Sequence, residues 1–248
     1  MPHLIELEDL PGFPSVLRRQ QVEYIGWLVD AIGIYAPVTP LLSAALDHVG
    51  RPDVTDLGSG SGGPIHSLAR QPELARVRFV LTDRYPSPTP THSPAVVWHA
   101  APIDALSHGA PGRGVLTLFN AFHHFTPAQQ QQLIRTHGRR GVLVFEVLQP
   151  TLPTLLKILL TTTLGQLLLA PCVRPFRWER LLLTYLFPIN LLTIAWDGVV
   201  SVVRSSRPAT LVQRLHSAAP AGCAVNGGTV GPWWAPVTWV SCLPERHA

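Results

Sequence analysis

Residues 56 to 63 read Asp-Leu-Gly-Ser-Gly-Ser-Gly-Gly, directly after Asp53-Val54-Thr55, a short segment suited to a buried strand. Glycine at 58, 60 and 62 lets the backbone turn tightly and approach a ligand that any Cβ would push away. The helix expected to begin near Gly63-Pro64 would aim its free N–H groups at the ligand's negative end. Proline suits that first turn, where its missing N–H costs nothing. A strand, a glycine turn and a helix in this order predict an α/β fold with a ligand held at the turn.

The rest of the chain supports that reading. Short apolar runs at 53–57, 77–82, 96–99, 115–119 and 141–147 predict strands of a parallel sheet buried on both faces. Helices are expected at 64–71 and 126–137, the second with Thr126 as its cap, Pro127 in the first position and Gly138 as its stop. Between the second and third strands, Pro86, Pro88, Pro90 and Pro94 disfavour a regular helix, so 84–94 is expected to be a loop or a single turn. Upstream, Val16, Val22, Ile25, Leu28 and Val29 recur at helical spacing, and Pro37 and Pro40 punctuate a second helix ending near Gly50. A helix near 208–218 and two strand-like runs, 222–230 and 236–243, close the chain. The short connection Gly231-Pro232-Trp233-Trp234 favours an antiparallel pair.

Charged residues are 14% of the 248 and hydrophobic ones 46%, which excludes disorder and gives enough apolar side chains for a full α/β core. The net charge of +4 lies within residues 148–207, and the remainder is neutral. No basic tail or broad cationic field is present, so nucleic acid is disfavoured as a partner. Cys172, Cys223 and Cys242 show neither metal-ligand nor redox-pair spacing and read as reduced packing residues; no metal constellation is visible. The N-terminus lacks a cationic start before an apolar run, so a cytoplasmic protein is expected.

Gly58, Gly60 and Gly63 also satisfy G-x-G-x-x-G, with Asp83 following Gly60 by 23 residues, so a nicotinamide dinucleotide is a rival ligand. Asp56 discriminates. A carboxylate two residues before the first glycine would repel a pyrophosphate but suits a ligand with a positive amino group and a sulfonium. With Asp56 included, the segment resembles motif I of the class I S-adenosylmethionine-dependent methyltransferases, E/D-x-G-x-G-x-G. The resemblance spans about residues 50–147 and 208–245, and implies S-adenosyl-L-methionine as cofactor. It implies that Asp83 takes both ribose hydroxyls, as a carboxylate can accept two hydrogen bonds, and that Asp104-Ala105 receives the adenine amino group. Asp56, Gly58, Ser59, Gly60, Gly62, Arg84 and Asn120 complete the expected cofactor contacts. The implied fold is a Rossmann-like, doubly wound, mostly parallel seven-stranded sheet with a C-terminal antiparallel hairpin. It is a single domain with N-terminal helices at 1–50, a cofactor-binding core at 51–147, an apolar helical insertion at 148–207, and a core helix and hairpin at 208–248.

In open α/β sheets ligands lie beyond the carboxyl ends of the strands, which draws attention to Asn120-Ala121-Phe122-His123-His124-Phe125. The Asn/Asp-Pro-Pro-aromatic tetrad expected of a nucleic-acid amino methyltransferase is missing there. His123 and His124 are adjacent and titratable near neutral pH, so they are the catalytic candidates, against packing and loop ordering as the bland alternative. Glu146, near the end of the fifth strand, is a second candidate base.

The segment 148–207 stands where a connection of a few residues is usual. Its first run, Thr154 to Ala170, is apolar except for a narrow stripe of Thr154, Lys157, Thr161 and Gly165. After Pro171 come the cationic turn Arg174 to Arg180 and a second apolar run, Leu181 to Trp196, broken by Pro188. The first run is at the short limit for crossing a bilayer. A helical hairpin is expected, serving as a lid over the acceptor pocket or a peripheral membrane contact; the alternatives are packing against the sheet or a homodimer partner, and a transmembrane hairpin. Trp196-Asp197-Gly198-Val199-Val200-Ser201 resembles a feature of a bacterial methyltransferase subgroup with the same insertion. Asp197 among apolar neighbours needs a partner, for which Arg204 and Arg177 are the candidates. The expected function is methyl transfer to a small or lipid-like hydrophobic acceptor. The rival is a noncatalytic protein of the same fold that docks to a membrane or partner through the insertion.

Overall fold

The alternation of apolar runs and helical periods is realised in the computed structural model, which describes residues 4–86, 93–107 and 109–245. Two helices lead, α1 (Ser15–Ile32) and α2 (Thr39–Val49). They are followed by β1 (Asp53–Leu57), α3 (Gly63–Leu68), β2 (Arg78–Thr82), β3 (Val96–Trp98), β4 (Val115–Phe119), α4 (Pro127–His137) and β5 (Val142–Glu146). The insertion supplies α5 (Leu152–Leu169), α6 (Trp178–Leu186) and α7 (Ile189–Arg204). The chain closes with α8 (Pro208–His216), β6 (Cys223–Val230) and β7 (Val237–Pro244).

The sheet has seven strands in the order β3-β2-β1-β4-β5-β7-β6, with β7 antiparallel to both of its neighbours and the others parallel. All five residues of β4 and of β5 are buried, which is why both strands are apolar except for Thr117 and Glu146. On one face Phe119 stacks on Phe145 at 4.9 Å and meets Tyr35 edge-on at 5.0 Å. On the other face Leu116 and Leu118 pack with Leu133 and Ile134 of α4 and Leu211 of α8. The order reverses between β1 and β4, and this switch point is where an open sheet leaves room for a ligand.

Several boundaries move. The helix expected over 64–71 ends at Leu68 because Pro72 cannot extend it and instead starts a 3-10 turn, Pro72–Leu74. Of the proline-rich connection, residues 84–86 and 93–95 are non-helical as expected, and 87–92 lie outside the described residues. The cap on α4 is a full capping box: Thr126 Oγ1 accepts from Gln129 N, and the Gln129 side chain accepts from Thr126 N. Cys242 is buried, but Cys172 is exposed, so the packing role expected of it is wrong: it sits in the turn after α5, which the fold leaves at the surface.

The insertion is a helical hairpin with one added piece. α5 packs along α7, and α7 along α1. Residues Thr161–Gly165 form a π-turn within α5. The three threonines there are tolerated because each hydroxyl donates to a backbone carbonyl one turn back, Thr161 to Lys157 and Thr162 to Ile158 at 2.8 Å, and Thr163 to Leu159 at 2.6 Å. Pro188 breaks the second run as expected, leaving α6 and α7 bent by 84°.

Candidate active site

The glycine loop has the shape its sequence requires. Gly58, Gly60 and Gly62 have φ of +70°, +56° and +79°, a region a side chain would strain. The Gly60 N–H donates to Asp83 Oδ2 at 2.8 Å, tying the loop to the end of β2. α1 crosses the loop backbone to backbone. A Cβ on Gly63 would lie 2.1 Å from the Gly26 carbonyl oxygen, so only glycine permits the crossing that makes α1 a wall of the site.

Between this loop, α1, the carboxyl end of β4 and α5 lies a cavity of about 1360 Å³. It gathers most of the predicted cofactor residues: Gly58, Ser59, Gly60, Asp83, Arg84, Asp104, Ala105 and Asn120. His123 and His124 line it as well, and so does the polar stripe of α5, Thr154, Lys157, Thr161 and Gly165. Asn120 is held in a left-handed conformation, φ +50°, and its buried Oδ1 makes no hydrogen bond among the described residues.

Two of the predicted contacts, Asp56 and Gly62, do not line the cavity. Gly62 turns towards the sheet, where a Cβ would stand 2.8 Å from Leu81 Cδ1. Asp56 lies beneath the loop, 2% exposed, and accepts from Thr117 Oγ1 at 2.7 Å. Burial pushes its carboxyl up to about 7, against the pull of hydrogen bonds from Ser59 and Thr117. Because the folded value exceeds the ordinary 3.8, the protonated carboxyl favours the fold at acid pH, and that contribution is lost as pH rises towards 7. Asp56→Asn, neutral throughout, is therefore expected to be more stable than wild type above pH 7 by roughly 2–4 kcal/mol. Urea denaturation at pH 8 and below pH 4 checks this; the difference should vanish in acid.

The adjacent histidines have different surroundings. His123 is buried, and its Nδ1 donates to Glu146 Oε2 at 2.7 Å. The other oxygen, Oε1, accepts from the backbone N–H groups of Phe122 and His123 at 2.7 and 3.2 Å. Glu146 thus holds the Nδ1 side of His123 and does not line the cavity, while Nε2 lies 3.9 Å from Glu6 Oε1. His124 is surrounded by carboxylates, with Nδ1 3.0 Å from Asp9 Oδ1 and 3.3 Å from Glu6 Oε2. Burial opposes its charge, but Glu6, Asp9 and Glu8 outweigh burial and raise it to about 10. At neutral pH it is an imidazolium and cannot accept a proton.

The N-terminal turn was not foreseen as part of the site. Glu8 and Asp9 line the cavity. Burial first, offset by His124, places Glu8 at about 8; Asp9, despite burial, is lowered to about 2 by His124 and Arg204. Arg18 fastens this turn by donating to the carbonyls of Glu8 and Leu10, with its guanidinium 4.1 Å over the Tyr85 ring. Asp197 does not pair with Arg204 or Arg177. It accepts from the backbone N–H groups of Leu7 and Glu8 at 2.5 and 3.2 Å, because those N–H groups open a short helical turn and need an acceptor. Arg204 instead bridges Glu6 and Asp9 at 3.3 and 3.1 Å and donates to the His124 carbonyl. Arg177 pairs with Glu23. Folding also brings Glu6, His123 and His124 together, with ligand-type atoms within 4.8 Å of one another, a grouping no linear spacing reveals. Both Glu6 oxygens are engaged, by Arg204 and by His124.

No family model and no curated protein matches the chain. Among solved structures, human N-acetylserotonin methyltransferase in complex with S-adenosylmethionine is similar with a TM-score of 0.54 and 13% identity, over 99% of this chain and 64% of that one. The fold is that of the class I methyltransferases. Weaker likenesses are to an O-methyltransferase of neocarzinostatin biosynthesis in complex with S-adenosyl-L-homocysteine and 1,4-dihydroxy-2-naphthoic acid (TM-score 0.44, 15% identity, 87% and 56% covered). Another is to an O-methyltransferase family protein from Burkholderia thailandensis (0.44, 12%, 85% and 57%). The chain therefore spans under two thirds of each of these proteins. In this methyltransferase fold the glycine loop, Asp83 and Asp104 stand at the switch point on the side of β1, and His123 on the side of β4.

Proposed function

We propose that the chain is an S-adenosylmethionine-dependent methyltransferase acting on a small or lipid-like hydrophobic acceptor. One observation carries this reading: a single cavity joins the glycine loop, Asp83 and Asp104 to His123 and the leucine-rich wall of α5. Its volume, about 1360 Å³, exceeds the ~300–1,000 Å³ of a site for one small ligand, so donor and acceptor fit together.

The residues fit the cofactor. Asp83 accepts from Gly60 and Tyr85 N–H groups at 2.8 Å and, as a carboxylate with about four lone-pair sites, has capacity left for ribose hydroxyls. S-adenosylmethionine supplies a methyl carbon already activated by its sulfonium. The chain's own work is placement and proton removal. His123, oriented by Glu146, takes the proton of an acceptor O–H at Nε2, while His124 holds a fixed positive charge beside it. The apolar wall from Ile158, Leu160, Leu164 and Leu168 favours an acceptor with a hydrophobic body. A noncatalytic docking protein would have no use for a buried carboxylate that orients a histidine towards the cofactor cavity.

Equilibrium dialysis with S-adenosylmethionine tests the reading. Wild type is expected to bind, and Asp83→Ala to bind about 100-fold more weakly, for the loss of two charge-assisted hydrogen bonds. A wild-type chain that binds no S-adenosylmethionine would contradict it.

A further inference from the structure

The insertion is built inside out. The side chains that α5, α6 and α7 turn inwards include Thr154, Thr162, Gln166, Asn190, Thr193 and Ser201, all buried, beside a few apolar ones such as Ile194 and Val200. The side chains they turn outwards include Leu152, Leu156, Leu168, Leu186, Leu192 and Trp178, the last 75% exposed. Of the residues Leu152–Leu169, only Thr154, Thr162 and Gln166 are buried. A water-soluble helix shows the reverse arrangement, and soluble monomers rarely expose contiguous apolar patches beyond a few hundred Å².

Charge decides between the candidate occupants. Of the basic residues of the insertion, Arg177 and Arg180 are paired with Glu23, and Arg204 with Glu6 and Asp9. Arg174, between α5 and α6, is exposed and donates to the carbonyls of Pro171, Cys172 and Val173; it makes no ion pair among the described residues. The insertion of a second copy would offer Arg174 no free carboxylate, since Glu179 pairs with Arg19 and Asp197 is buried. An anionic lipid surface complements Arg174, at a gain that accumulates with each Lys or Arg near the headgroups. Exposed tryptophans border the same face: Trp178, Trp196 and the Trp233-Trp234 loop, which Lys157 ties to α5 through a 2.8 Å bond to the Trp234 carbonyl. Aromatic side chains of this kind settle at the headgroup level.

By length and composition α5 could cross a membrane, but its packing favours an interfacial arrangement. Lys157 and Thr161 of α5 line the cavity, and α5 packs on α7, so one side of the helix belongs to the protein body. Leu160, Leu164 and Leu168 are both exposed and part of the cavity wall. The wall of the acceptor cavity is therefore continuous with the outward apolar face.

We propose that α5, α6 and α7 seat the protein on an anionic lipid bilayer, with the leucine face lying in the membrane interface, so that a lipid-like acceptor enters the cavity without crossing water. The proposal rests on the cavity reading above for the acceptor, but the docking itself is independent of methyl transfer. Flotation of the purified full chain with vesicles tests it, using phosphatidylcholine alone and phosphatidylcholine with about one third phosphatidylglycerol. Wild type is expected to float with the anionic vesicles and less with the neutral ones. The double variant Leu156→Glu, Leu192→Glu, at exposed positions outside the cavity wall, is expected to float at least about tenfold less. Its circular dichroism and S-adenosylmethionine binding should match wild type, which separates lost docking from lost folding. Wild type that stays at the bottom with both vesicles overturns the proposal, as does a double variant that floats equally. Wild type that resists alkaline carbonate extraction overturns it in favour of a spanning helix. A wild-type dimer that fails to float and that the double variant dissociates assigns the face to a second copy instead. Cofactor binding is read separately, so failed flotation leaves the methyltransferase reading standing.

Discussion

His123→Ala is expected to retain S-adenosylmethionine binding while kcat falls by about 10²–10⁴-fold, the usual range for losing a positioned general base. The imidazole is buried, its Nδ1 committed to Glu146 at 2.7 Å, and Glu146 is in turn fixed by two backbone N–H groups at the end of β4. Nε2 lies 3.9 Å from Glu6 Oε1, and His123 lines the cavity, so under the proposed function Nε2 is the nitrogen that takes the proton. Glu146→Gln is expected to lower kcat less, by about tenfold or more, because the ring remains but its tautomer is no longer held. His124→Gln should act differently: a permanent cation is removed from among Glu6, Glu8 and Asp9, so the loss should appear mainly in acceptor KM and in stability. Steady-state kinetics with separate kcat and KM for the three variants checks the division of labour. Equal loss of kcat in His123→Ala and His124→Gln would mean that the two rings act as one unit.

The largest expected effect on stability lies at Glu23. This residue of α1 is 2% exposed and receives Arg177 through both Nε, at 2.9 Å to each oxygen, and Nη2 at 2.7 Å. Its Oε2 also receives Arg180 Nη2 at 2.5 Å, and Arg180 is wholly buried, with Nη1 on the carbonyls of Val173 and Pro175. Glu23→Ala leaves a buried guanidinium without its counter-charge, for which about 3–5 kcal/mol of destabilisation is expected. For a chain of 248 residues that corresponds to a Tm lower by about 10 °C. Adding Arg180→Met should restore much of the loss, since replacing a buried pair by apolar side chains is often neutral. Calorimetry of the single and double variants measures both. A double variant no more stable than Glu23→Ala would show that the damage comes from the packing of α1 rather than from stranded charge.

The parts of the fold legible from the chain are those set by local chemistry. β4 and β5 were readable because strands covered on both faces must be mostly apolar, and α4 because Thr126, Pro127 and Gly138 each act within one turn. The glycine loop was readable because three residues with positive φ leave few alternatives to glycine. What escaped depended on partners far apart in sequence. Asp9 meets His124 across 115 residues and Leu7 meets Asp197 across 190, and no periodicity encodes such pairs. Asp197 was matched to an arginine on the expectation that a buried carboxylate seeks a cation. The free N–H groups of a short N-terminal turn served equally well. Asp56 was assigned to the cofactor because it precedes the glycines, but its place in β1 between Leu81 and Thr117 turns it under the loop. The acidic run Glu6-Leu7-Glu8-Asp9 was the one local hint of the missed half of the site.

Transfer of a radiolabelled methyl group bears most directly on the central claim. Purified chain is incubated with methyl-labelled S-adenosylmethionine and a bacterial lipid extract, and label is counted in the organic phase. The account predicts organic-soluble label with wild type, reduced at least about 100-fold in His123→Ala although that variant still binds the donor. Wild type that binds S-adenosylmethionine yet leaves the organic phase unlabelled would contradict a hydrophobic acceptor.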